Sequence, residues 1–311
     1  MRIKVSEALR FLGALAAAVV LLVLLVWRVT GEEPEAPPRR TGPAVAAAPA
    51  PLTPPAAPDC GLARGWERAA QQNARSLKTL QWAPFRRPET GWEIYVPLIQ
   101  TTIRTPCAPD TPGFAAAFAA WQGDQRIFPN GVMSPEAFQH LKGLAQEKRA
   151  FVRLSSRGVC PSPPPEARLT AGRPAEGYGG KHVELRPGAF AAYRAMVDAA
   201  KAEVPEIARD QRNLTIFSAY RSPAYDAARC ARDGNCNGIV RARCSPHRTG
   251  LAMDLYVGQA PGYGPDSTAD PNRLHMTRTP AYRWLVANAH RFGFVNYPFE
   301  PWHWEWTGET P

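Results

Sequence analysis

Ser245-Pro246-His247-Arg248-Thr249-Gly250-Leu251-Ala252-Met253-Asp254 is the stretch on which the reading of this chain turns. It sets His247 seven residues before Asp254, with Gly250 and Ala252 between them. Glu300-Pro301-Trp302-His303-Trp304, further on, adds a second imidazole and a second carboxylate. His247, Asp254 and His303 are candidate zinc ligands, and three protein ligands with an open fourth position are what a catalytic zinc requires. Glu300, three residues before His303, is a carboxylate that could take the proton from an attacking water.

Working outward, Gly250 breaks the chain and Leu251–Val257 alternates. Leu251, Met253, Leu255 and Val257 share one face, leaving Asp254 on the other. Trp302-His303-Trp304-Glu305-Trp306 alternates again, so three tryptophans pack on one side while His303 and Glu305 point to the opposite one. Leu214–Ser218 and Phe294–Tyr297 have the β-branched and aromatic content of short strands. Apolar residues at Phe190, Tyr193, Val197 and Ala200 space a helix after Pro187. Thr279-Pro280 starts another helix, which passes Trp284 and Leu285 and stops at Gly293. The fold class is α+β: a small antiparallel sheet flanked by helices and carrying a zinc site.

Upstream, Phe114, Phe118 and Trp121 lie at helical spacing, Asn130-Gly131 marks a turn, and Ser134-Pro135 starts a second helix. Helix, Asn-Gly turn and capped helix resemble the peptidoglycan-binding modules of cell-wall hydrolases. The other reading is a helical subdomain packed on the C-terminal part. Prolines and glycines between Cys160 and Gly180 mark a boundary.

At the N-terminus, Phe11–Trp27 is an unbroken apolar run flanked by Arg10 and Arg28. At ~1.5 Å per residue it covers roughly 25 Å, which reads as a single-pass transmembrane helix. No small-x-small cleavage sequence follows it directly, so it is expected to stay as an anchor rather than leave as a signal peptide. The basic flank places the N-terminus in the cytoplasm and the rest on the periplasmic or extracellular side. The expected organisation is anchor 1–31, Pro/Ala-rich linker 32–58, helical module 59–160, Pro/Gly-rich linker 161–179 and catalytic domain 180–311.

The 311 residues carry a net charge of +10, which suits an anionic cell envelope. No dense Lys/Arg run with interleaved aromatics occurs, which argues against nucleic acid. The six cysteines include no C-x-x-C pair and are expected in disulfides once the chain is exported.

Ser245-x-His247-x-x-Gly250-x-Ala252-x-Asp254, taken with Glu300-Pro301-Trp302-His303, resembles the zinc D-Ala-D-Ala carboxypeptidases of the VanY type. That family is related to the vancomycin-resistance D,D-dipeptidases and, more distantly, to lysostaphin-like endopeptidases. Ser218-Ala-Tyr-Arg-Ser222 and Asn288-Ala-His-Arg-Phe-Gly-Phe-Val295 support the likeness, which spans about 180–308. It implies that His247, Asp254 and His303 hold Zn2+ and that Glu300 is the general base. It further implies that Arg221 stabilises the oxyanion and that Ser245 helps hold the substrate, a peptidoglycan stem peptide. The segment from Cys230 to Cys244 departs from the family pattern; within it Cys230–Cys236 is expected as a local disulfide, with Cys244 reaching elsewhere. Cross-link endopeptidase and non-catalytic wall-binding protein are the competing functions.

Overall fold

The computed structural model describes residues 59–83, 87–234, 236 and 244–310. The expected anchor and the Pro/Ala-rich linker lie outside the described residues. Among those described, no helix is long and apolar enough to cross a membrane.

Among the described residues, five places use one local device, a Ser or Thr followed by Pro. Its hydroxyl accepts a hydrogen bond from an otherwise orphaned N–H, and the proline's fixed φ suits the first turn. Thr111 and Ser134 start α3 (Pro112–Asp124) and α4 (Pro135–Gln146) in this way. They follow α1 (Glu67–Ser76) and α2 (Val96–Ile103), and α5 (Ala150–Ser155) comes next. Downstream of α6 (Pro187–Glu203) and α7 (Pro205–Arg209), Ser222 starts α8 (Pro223–Arg232). After α9 (Asp270–Met276), Thr279 starts α10 (Pro280–Asn288), as its Thr-Pro pair predicts. A 3-10 turn carries that chain on to Gly293, whose φ of +80° ends it. Ser245 starts the short 3-10 turn Pro246–Thr249 that contains His247.

Two small hairpins pair β1 (Gln81–Trp82) with β2 (Glu89–Thr90) and β3 (Thr170–Ala171) with β4 (Glu184–Leu185). The main sheet is antiparallel and four-stranded: β5 (Ile216–Ser218), β6 (Ala252–Leu255), β7 (Phe294–Tyr297) and β8 (Glu300–Trp306), in the order β5-β6-β8-β7. Mixed helices and small antiparallel sheets are thus what the sequence predicts. Two strand limits differ. β6 is shorter than 251–257 and all four of its residues are buried, not just one alternating face. On the second face, Asp254 is buried beneath His247 and His303, which both contact its carboxylate. The expected strand at Leu214 starts two residues later, since Leu214 adopts a left-handed φ of +64° and its N–H bonds the Tyr256 carbonyl.

A continuous apolar core joins Trp92, Ile99, Phe114, Phe118 and Phe138 to Phe190, Met253, Leu285 and Trp304. Each such side chain, fully buried, contributes about 1.5–3 kcal/mol. Polar groups cross the same boundary. Arg273, with no solvent exposure, donates to the Phe299 carbonyl (2.8 Å) and pairs with Glu89 (3.1 Å). Gln146 Nε2 donates to the Asn296 carbonyl at 2.8 Å. Disulfides join Cys60–Cys107, Cys160–Cys244 and Cys230–Cys236. The last is the local pair expected from the sequence. The second ties the start of the Pro/Gly-rich segment to the residue before Ser245.

Lys142 is buried in this region, its ammonium 3.4 Å from the centre of the Trp82 ring. Burial lowers its pKa to about 7, against the opposing pull of Glu89. The folded value lies below the ordinary one, so the cost of charging Lys142 is complete below pH 7 and fades as pH rises toward 10. The cation–π contact offsets part of that cost. Lys142→Met is therefore expected to raise the unfolding midpoint near pH 6–7, with an advantage that shrinks toward pH 10. Parallel stability curves for the two proteins across that range would refute this account.

Candidate metal centre and catalytic site

Strand register builds the centre. Asp254 of β6 lies directly opposite His303 of β8, and Ser218 of β5 flanks Asp254 on the other side. His247 comes from the 3-10 turn before β6. Gly250 closes that turn at φ +69°, where a side chain would also press on Leu169 and Arg186 at 3.1–3.2 Å. His247, Asp254 and His303 are all buried, and they offer ligand atoms within 4.8 Å of one another.

Each imidazole has one nitrogen tied to the protein and the other turned to Asp254. His247 Nδ1 lies 2.7 Å from the Ala219 carbonyl, which can only accept, so Nδ1 carries the hydrogen. Its Nε2 is 3.2 Å from Asp254 Oδ2. His303 Nε2 faces Glu305 Oε1 at 3.2 Å, and its Nδ1 lies 2.8 Å from Asp254 Oδ1. Backbone carbonyls and carboxylates on the far nitrogen are what fix the orientation and basicity of metal-bound histidines. Two imidazoles and a carboxylate form a borderline donor set that suits zinc.

The electrostatics of these side chains follow from their packing. Burial lowers the His247 pKa to about 4, with Arg221 adding to the effect. Burial would raise Asp254, but His247 and His303 hold its carboxyl well below the usual carboxylate range. For His303 burial acts downward and is outweighed by Asp254 and Glu305, which push it up to about 9. Glu305, just 1% exposed, would also be raised by burial, yet Arg149 and His303 bring it down to about 2.

Glu300 opens β8. Strict alternation would send it to the tryptophan face. The register of β8 against β7 jumps between Asn296 and Tyr297, however, and Tyr297 pairs with Glu300. Burial raises its pKa, while the nearby charges of His303 and Arg221 oppose that rise and Asp254 adds to it. Arg221, from the loop after β5, donates to Ser218 Oγ (3.1 Å) and Ser245 Oγ (2.8 Å) and pairs with Asp226 (3.3 Å). Ser245 is buried, and its hydroxyl also accepts from the His247 N–H (3.3 Å). It therefore holds the arginine and starts the metal-motif turn.

All six residues singled out in the sequence meet here. Three that sequence reasoning missed support them: Ala219 through its carbonyl, Glu305 on His303, and Arg149 on Glu305. The alternation of β8 already put Glu305 on the side of His303. Nothing local marked Arg149.

Residues 182–309 match the family model of VanY, described as D-alanyl-D-alanine carboxypeptidase. One similar solved structure is a point mutant of the vancomycin-resistance D,D-pentapeptidase VanY from the VanB-type resistance cassette, in complex with Zn(II). The two chains are 21% identical, over 47% of this chain and 83% of that one, with a TM-score of 0.27. No curated protein matches the chain. The metal-type cluster, Glu300, Arg221 and Ser245 all fall inside the segment that matches the VanY D-alanyl-D-alanine carboxypeptidase family model.

Proposed function

We propose that this chain is a zinc-dependent D,D-carboxypeptidase that removes the terminal D-Ala from peptidoglycan stem peptides. The observation that carries it is the pair of imidazoles, each tied at one nitrogen to Ala219 or Glu305 and open at the other toward Asp254. His247, Asp254 and His303 would hold the ion, which when bound supplies Lewis acidity and a more acidic water. Glu300 takes the proton from the attacking water and returns it to the amine nitrogen as the C–N bond breaks. Its raised pKa brings it nearer the operating pH, as a general base requires. Arg221, held by two hydroxyls and Asp226, presents a fixed positive charge to the oxyanion.

The apolar run Phe11–Trp27 and the Pro/Ala-rich segment after it support a membrane-anchored enzyme whose catalytic domain faces the wall. The test incubates purified protein with pentapeptide monomers and with cross-linked dimers, and identifies products by mass. Free D-Ala from monomers is the expected result, with about one zinc per chain. Dimers converted to monomers without D-Ala release would replace the carboxypeptidase with a cross-link endopeptidase. A chain that retains no zinc would overturn the enzyme reading.

A further inference from the structure

Arg149 lies outside the family-matched segment, at the junction of α4 and α5, and is 5% exposed. Its Nε donates to Glu305 Oε1 at 2.8 Å, and a second guanidinium nitrogen bonds the same oxygen. A third donates to Gln146 Oε1 (2.8 Å), and the Gln146 amide reaches the Asn296 carbonyl on β7. The guanidinium also lies 4.7 Å from the centre of the Tyr297 ring. Every polar end of Arg149 is thereby directed at the β7–β8 hairpin or at the helix that grips it.

The oxygen that Arg149 holds is the one His303 Nε2 faces. A chain of contacts thus runs Arg149, Glu305, His303, Asp254, from the upstream helices to the metal-type cluster. A buried carboxylate without the fork that holds it would swing out of place, and that loosens its hold on the imidazole. A second support comes from the same side. Glu89 pairs with Arg273, which binds the Phe299 carbonyl immediately before Glu300.

We infer that the upstream helical segment is part of the catalytic apparatus: Arg149 is a positioning residue that, through Glu305, sets the His303 ring for metal binding. The inference rests on the zinc reading of the site. The 182–309 segment alone is then an incomplete metal site.

The test measures zinc affinity in the full chain by competition with a chromophoric chelator. Removing Arg149 alone leaves a buried charge behind and risks unfolding, so the informative variant is the double Arg149→Met/Glu305→Leu, which removes both charges. It is expected to stay folded by circular dichroism while binding zinc 10–100-fold more weakly, the range for lost outer-shell partners. Arg149→Lys, which keeps the charge but not the fork, is expected to fall between the two. A folded double variant with wild-type zinc affinity overturns the positioning role. Wild-type protein that binds no zinc overturns the reading beneath it, and the two failures are distinguishable.

Discussion

Glu300→Gln is expected to lower kcat by 10²–10⁴-fold while leaving zinc content and KM close to wild type. Glutamine has the shape of glutamate and fills the same place at the start of β8, but it cannot accept the water's proton. Glu300 is not among the metal-type donors, so the ion should be held equally well in the variant. Because burial raises its pKa, the wild-type acid limb should lie above the ordinary carboxylate value of 4.5. Below the folded pKa the base is protonated and the rate falls; above it the rate levels off. Turnover within tenfold of wild type would remove Glu300 from the proton transfer.

Arg221→Met is expected to cost about 10²–10³ in kcat, or ~3–4 kcal/mol of transition-state stabilisation, the loss measured for one oxyanion donor. Arg221 is suited to this role because its position is set before substrate arrives. Ser218 and Ser245 take two of its nitrogens, and Asp226 lies beside a third. Arg221→Lys keeps the charge but loses the planar fork, so it cannot satisfy both hydroxyls at once. It should recover only part of the rate. Asp226 also has Arg248 4.0 Å away, a second cation that is expected to limit the damage to folding in either variant. A kcat effect confined to threefold, with a lowered unfolding midpoint, would make Arg221 a structural ion pair instead.

How much of this was legible in the sequence differs from residue to residue. His247 and Asp254 stood out because a metal needs specific atoms, and a turn with a left-handed glycine delivers them at short range. His303 was legible because strand alternation sorts it from the tryptophans, and the cross-strand register then seats it opposite Asp254. The helix starts at Ser134-Pro135 and Thr279-Pro280 were legible, since capping is decided within four residues. The side of Glu300 was not, because it depends on a register jump against β7 that alternation does not encode. Arg149 was not, because its partner is 156 residues away and only the packed structure brings them together. The shared core stayed one of two open readings for a similar reason. An apolar face announces that it will be covered, not by what.

These separations also bear on how the molecule comes together. Arg149 and Glu305 are 156 residues apart, Glu89 and Arg273 are 184, and Cys160 and Cys244 are 84. Each such contact brings distant parts of the chain together before it gives any stabilisation, and folds dominated by long-range contacts assemble slowly. The helices can form early from local signals, and β7 and β8 can pair early as a hairpin. The metal centre cannot, because its second imidazole is set only after the segment that carries Arg149 has docked on β8. Activity should therefore be the last property regained on refolding, trailing the recovery of helix.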